Sequence, residues 1–162
     1  VWMSDIEDLE DALEMIRTIG LLTDRQPAAE ELAGKINGAF IALGQQVQRL
    51  PQVSAAYLIW RDPYMVAGRE TFIDEMLQRA GFSNVFSRER RYPEVSLDAI
   101  AGREPEVILL SSEPYPFKEK HIAELQAACP TSDIQLIDGE LFSWYGSRLL
   151  QSPDYFRALR GR

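Results

Sequence analysis

The stretch Val53-Ser54-Ala55-Ala56-Tyr57-Leu58-Ile59-Trp60 decides how the rest of the chain is read. It is a short apolar run that begins just after Pro51 and ends at Arg61-Asp62-Pro63. Its length and bounding prolines predict a buried strand. A second run, Val107 to Leu110, is apolar without interruption, as a parallel strand covered on both faces requires. Between the two, Gly68 to Ala80 predicts a helix with Phe72, Ile73, Met76 and Leu77 inward and Gly81 as its stop. Asn84-Val85-Phe86 predicts a short strand, and Ser96 caps a short helix that runs to Ala101. Phe117 to Ala128 predicts a helix closed by Pro130, Ile134 to Ile137 a strand, and Phe142 to Leu150 and Pro153 to Leu159 two helical segments. Strands alternating with helices imply βαβ units and a mostly parallel sheet. The fold class is α/β.

Upstream of Pro51 the pattern is helical. Pro27 fits a first helical turn, where its missing N–H costs nothing. Leu32, Ile36, Phe40, Leu43, Val47 and Leu50 then form one apolar stripe. A helix from Pro27 to Leu50 is about 36 Å long. Gly34, Gly38 and Gly44 each weaken it by about 1 kcal/mol relative to Ala, so packing holds it or neighbours approach closely there. Ahead of it, Ser4-Asp5-Ile6-Glu7 fits a capping box, and Ile6, Leu9, Leu13 and Ile16 share a helical face. Gly20 is expected to end that helix. Val1-Trp2-Met3 reads as the last strand of something upstream, and the chain as a piece of a longer one. The expected division is 1–50, an upstream end plus connecting helix, and 51–162, an α/β lobe.

The 162 residues allow one domain with a real core. Asp and Glu number 25 against 17 Lys and Arg, a formal charge of -8, which excludes a generic nucleic-acid surface. No apolar run reaches membrane-spanning length. The single cysteine, Cys129, permits no intrachain disulfide and reads as a structural thiol. The single histidine, His121, sits among Lys118, Glu119 and Lys120 and reads as a surface residue. No His/Cys cluster with metal-ligand spacing is present, and no carboxylate pair stands out as an acid/base couple, so no resident metal or cofactor is expected.

In open parallel sheets ligands bind outside the carboxyl ends of the strands. Those ends carry Trp60, Arg61 and Tyr64; Arg88, Arg90, Arg91 and Tyr92; Ser111, Ser112, Glu113 and Tyr115; and Asp138, Glu140, Phe142, Trp144 and Tyr145. Aromatic faces and arginines suit a large, partly anionic ligand. Against this, Trp60 equally reads as a core cap, the arginines as a solvated run, and Phe142 and Trp144 as core. The Gly68 turn offers a helix-start alternative for an anion, without a full phosphate-loop fingerprint.

The order of elements, together with several short stretches, resembles a known family. Ile19-Gly20-Leu21-Leu22-Thr23 followed by Ala28, Ala29 and Leu32 is similar to an entry into an interdomain helix. Ala80-Gly81-Phe82-Ser83-Asn84-Val85 is similar to the end of a first C-terminal-lobe helix, and Tyr92-Pro93-Glu94-Val95-Ser96-Leu97-Asp98 through Pro105-Glu106-Val107-Ile108 to a later segment of it. The family is the class III periplasmic binding proteins, or helical-backbone metal receptors, of ABC importers for vitamin B12, ferric siderophores and haem. The resemblance implies a three-layer C-terminal lobe with a mostly parallel sheet, a rigid long backbone helix before it, and an N-terminal lobe mostly absent here. It implies a non-enzymatic receptor for a small-molecule metal chelate, cobalamin or a ferric siderophore, working with an ABC permease in the periplasm or cell envelope. Carried over by position, it implies that Trp60, Tyr64 and Tyr92 face the ligand and that Glu140 sits in the loop after the last strand of the lobe, also as a ligand contact. Arg91, from the arginine run that mildly favours an anionic chelate, is the remaining expected contact. It implies permease docking at Asp98, where the family carries a glutamate. Two readings stay open beside it: a doubly wound α/β enzyme or nucleotide-binding module, and a docking module that binds no small molecule.

Overall fold

In the computed structural model, residues 5–161 are described. The expected strand at Val1–Met3 and Ser4 of the expected capping box lie outside them. The first helix, α1 (Leu9–Leu22), is capped instead by Asp8, whose carboxylate accepts the Asp11 N–H at 2.9 Å. Gly20 does not end it. The helix runs on to Leu22, and Gly20 lies where α1 meets α2 (Gln26–Val47), against the Ala29 methyl. The sequence signal for a helix stop here is a close-approach glycine. Helix α2 has 22 residues, about 33 Å. It buries Ala33, Ile36, Phe40 and Leu43 and leaves Leu50 exposed beyond its end. Gly34, Gly38 and Gly44 have open space around them, so packing of the opposite face holds the helix.

The sheet is built around β1 (Val53–Trp60), the bounds that the sequence predicts. One edge of β1 pairs in parallel with β5 (Val107–Ser111), which pairs in parallel with β6 (Asp133–Ile137). The other edge is shared. Its first half pairs in parallel with β3 (Phe82–Asn84), and its second half pairs antiparallel with β2 (Tyr64–Val66), which carries β4 (Glu94–Val95). The parallel part is as expected; the antiparallel β2 and β4 are additions. They are three and two residues long, too short for the alternation that marks a strand in sequence.

Side chains of β1 alternate between two cores. Ala55, Tyr57 and Ile59 join Leu13, Ile36, Phe40, Phe142 and Phe156 on one face. Ala56 and Leu58 join Ile100, Ile108, Phe117 and Leu125 on the other. The first face is covered by α1, α2, α3 (Phe72–Arg79), α6 (Glu140–Ser143) and α7 (Ser152–Arg160), the second by α4 (Leu97–Ala101) and α5 (Glu119–Ala128). This is the three-layer α/β arrangement.

Several boundaries move for local reasons. Helix α3 starts at Phe72, not Gly68, because Thr71 caps it through the Asp74 N–H. Gly68 and Arg69 are drawn into backbone pairing with Arg91 and Glu89. The strand expected at Asn84–Phe86 lies at Phe82–Asn84. There the Asn84 amide bonds the Ala67 carbonyl and Asp74, and its oxygen takes the Phe86 N–H, turning the chain. The helical segment expected over Phe142–Leu150 is split into α6 and a 3-10 turn, Ser147–Leu150, with Trp144 to Gly146 non-helical between them.

Candidate functional site

The carboxyl ends of β1, β5 and β6 meet along one edge. Trp60, the last residue of β1, is 40% exposed and packs its ring on Tyr115 at 5.6 Å. Tyr115 belongs to the loop after β5, which is pinned from below. Buried Ser111 takes the Tyr57 hydroxyl at 3.2 Å and donates to the Glu113 carbonyl at 2.5 Å. The loop after β6 sits directly on it, since the Gly139 N–H donates to Ser112 Oγ at 3.0 Å. Any side chain at Gly139 would run into Ser111, so the contact requires glycine. At this junction Glu113 Oε1 accepts two hydrogen bonds, from Ser143 Oγ and from Trp144 Nε1, each 2.7 Å. Trp144 is thereby held outward, 51% exposed. Tyr145 follows, 39% exposed and edge-on to Phe72 at 5.4 Å, and Tyr92 lies nearby at 38%.

Two neighbouring cavities open on this wall. One, of about 420 Å³, is lined by Glu113, Ser143, Trp144, Tyr145 and Gly146. The other, of about 220 Å³, shares Ser143 and Tyr145 and adds Arg91, Tyr92, Phe72 and Asp5. Partial burial raises the Tyr92 phenol above its ordinary value, so it stays neutral at physiological pH. The wall is thus a row of partly exposed aromatic faces with neutral donors, the anchored Glu113 carboxylate and the Arg91–Asp5 ion pair. Such a surface can grip a large ligand by area and hydrogen bonds. Among the described residues, no group of three or more His, Cys, Asp or Glu could hold a metal ion.

The residues expected from sequence divide. Trp60, Arg91 and Tyr92 lie on this edge. Tyr64 does not: its side chain is buried in the core beneath α4 and α5, and burial pushes its phenol up to about 12. Glu140 lines neither cavity; its carboxylate is 2.6 Å from Arg148, which also reaches Asp138 at 3.1 Å, and this bracing holds the segment that presents Trp144 and Tyr145. Asp98 is exposed in the first turn of α4. Trp144, expected in the core, is a wall residue, while Phe142 is fully buried as expected. His121 is a correction too. It is buried, its Nδ1 accepts the Lys118 N–H at 2.9 Å, and its Nε2 lies 3.3 Å from the Tyr115 hydroxyl, so it caps α5 from inside. The Gly68 turn offers nothing to an anion, because the Gly68 and Arg69 amides are already bonded to the carbonyls of Arg91 and Glu89. Glu113 is among the strand-end residues that the sequence nominates, through its adjacency to the end of β5, while Ser143 carries no such signal.

This fold is that of a binding-protein lobe, and the chain belongs to the periplasmic binding protein family, whose model matches residues 2–130. The family is one of binding proteins, not enzymes, and the resemblance read from the sequence is borne out at that level. Among solved structures, the periplasmic heme-binding protein RhuT from Roseiflexus sp. RS-1 superposes with a TM-score of 0.84 at 20% identity, over 97% of this chain and 65% of that one. An ABC-type Fe3+-hydroxamate transport system from Saccharomonospora viridis gives 0.75 at 23% identity, over 96% and 57%. The periplasmic vitamin B12 binding protein BtuF of Vibrio cholerae gives 0.79 at 14% identity, over 99% and 66%. These likenesses establish the fold. The chain spans less than two thirds of the length of each of these structures. No curated protein sequence matches it. No helix among the described residues is long and apolar enough to cross a membrane.

Proposed function

We propose that this chain is the ligand-binding C-terminal part of a substrate-binding protein of an ABC importer, acting in the periplasm or cell envelope. It holds a metal chelate, cobalamin or a ferric siderophore, against the wall formed by Trp60, Tyr92, Trp144 and Tyr145, and a membrane permease receives it. Residues 1–50 are the end of an N-terminal lobe and the connecting helix, and 51–162 the lobe that carries the wall. The observation that supports this reading is the row of four exposed aromatic side chains on one strand-end edge. A chelated metal arrives with its own ligands, so the receptor needs contact area and not a histidine cluster. The printed names of the structural relatives, which bind heme, vitamin B12 or a hydroxamate, point the same way.

The test is a tryptophan-fluorescence titration of the full-length protein with cobalamin and with ferric chelates, corrected for ligand absorbance. Saturable binding is expected. Replacing Trp60→Ala and Tyr92→Ala together weakens it by about 2–4 kcal/mol, the scale of buried aromatic anchors. Unchanged affinity in a folded double variant removes these residues from the site.

A further inference from the structure

The run Arg88-Arg90-Arg91 suggests a positive wall, but the ion pairs at this edge leave little free positive charge. Nearly every cation that reaches this edge is already engaged. Arg61 is held by Glu124 at 2.8 Å and Asp62 at 2.6 Å. Arg90 is held by Glu70 at 2.6 Å. Arg148 is held by Asp138 and Glu140. Arg91, which lines the smaller wall cavity, donates to Glu7 at 3.1 Å and to the Glu70 carbonyl at 2.9 Å, and lies 3.4 Å from Asp5. A ligand anion reaching for Arg91 competes with the carboxylates of Glu7 and Asp5, the second of which lines the same cavity. Arg88 is exposed and lines neither cavity.

Against these neutralised cations stands Glu113. Its Oε1 is fixed by Ser143 and Trp144, and its Oε2 has no hydrogen-bond partner among the described residues. Glu113 lines the larger cavity, beside the Trp144 and Tyr145 rings. Two neutral donors that hold one oxygen leave the second oriented and available for a ligand. Resting on the proposed binding role of this same wall, we propose that Glu113 is a specificity-determining residue. It offers its free oxygen to a hydrogen-bond donor or cationic group, so the wall takes an uncharged or cationic chelate and disfavours one that presents carboxylates.

The test holds the chelate constant and varies one peripheral charge. The full-length protein is titrated with ferrioxamine B bearing its terminal ammonium, with the N-acetylated form and with the N-succinylated form. It is titrated in parallel with cyanocobalamin and its monocarboxylate. Affinity is expected to fall about tenfold for each step towards negative charge, and less at high salt. The variant Glu113→Gln keeps an acceptor for Ser143 and Trp144 and is expected to flatten the ranking. The wild-type ranking and its salt dependence carry the test without any variant. Equal affinity across a set, tighter binding of a carboxylate member, or a ranking that survives Glu113→Gln overturns the charge proposal and leaves the receptor reading standing. Absence of binding by every member overturns both.

Discussion

Replacing Gly20→Ala tests whether the α1–α2 hairpin is set by helix propensity or by close approach. Gly20 lies inside α1, two residues before its last residue, Leu22. Propensity alone makes Ala there about 1 kcal/mol more stable than Gly. The new Cβ, however, lands on the Ala29 Cβ, at least about 1 Å inside the ~3.5–4.0 Å optimum for two carbons. Neither methyl has a rotamer to escape into, since each is rooted directly on a helix backbone. Relief requires α1 and α2 to separate at the turn, where the Arg25 N–H donates to the Gly20 carbonyl at 2.7 Å. Overpacking of this kind costs about 1–3 kcal/mol, and a rigid contact beside a tight turn belongs in the upper half of that range. The net expectation is a loss of about 1–2 kcal/mol. Gly34→Ala, on the open face of α2, is the matched control. It meets nothing within 4 Å and is expected to gain about 1 kcal/mol. Urea unfolding midpoints of the two variants resolve a gap of this size. Adding Ala29→Gly to Gly20→Ala removes the collision and is expected to show a favourable coupling of at least about 1 kcal/mol. If Gly20→Ala stabilises as much as Gly34→Ala, the close-approach argument is refuted.

Two further outcomes follow from other parts of the fold. His121 is held neutral, because its Nδ1 accepts a backbone N–H and because burial, together with Lys120, Arg61 and Lys118, lowers its pKa from 6.5. The unfolded chain binds the extra proton first, so stability is full above the unfolded value and falls as pH drops through 6.5 towards the folded value. Urea midpoints at about pH 7.5 and about pH 5.5 are expected to differ, and to differ less in His121→Phe; an unchanged difference sinks this assignment. Asp98→Ala, on an exposed helix turn that lines neither wall cavity, is expected to leave chelate binding unchanged and to reduce uptake in cells by tenfold or more, on the order of one lost charge-assisted contact. Wild-type uptake removes Asp98 from permease docking.

Features legible in the sequence were those whose cause is local. An apolar run bounded by prolines gave β1 to the residue, and Ser96 marked the start of α4 because its hydroxyl accepts the Ala99 N–H three residues on. A continuous apolar run gave β5, and the mainly apolar Ile134–Ile137 gave β6, each within a residue. Features decided by a distant partner were not legible. Gly20 carries the same letter whether it frees the backbone at a helix end or clears space for another helix, and only the position of Ala29 separates the two. His121 stands among charged neighbours in sequence, yet Tyr115 and Phe117 fold over it at 5.5 and 5.6 Å between ring centres.

The same distinction governs the wall. An aromatic residue directly after a strand, such as Trp60, is placed at the sheet edge by the strand itself, so sequence can nominate it. The charge of that edge is a sum over pairs, and the pairing acids are remote. Arg61 finds Glu124 across 63 residues, and Arg91 finds Asp5 across 86. A run of arginines therefore overstates the positive potential of a surface whenever the chain as a whole is acidic, as this one is at -8. The acid that stays uncompensated is the one whose neighbours are neutral donors. Glu113 meets that condition because Gly139 lets the loop after β6 settle on the loop after β5, bringing Ser143 and Trp144 within reach. Ligand charge preference in such a lobe is accordingly a property of how two loops pack, and it can change between proteins that share every strand.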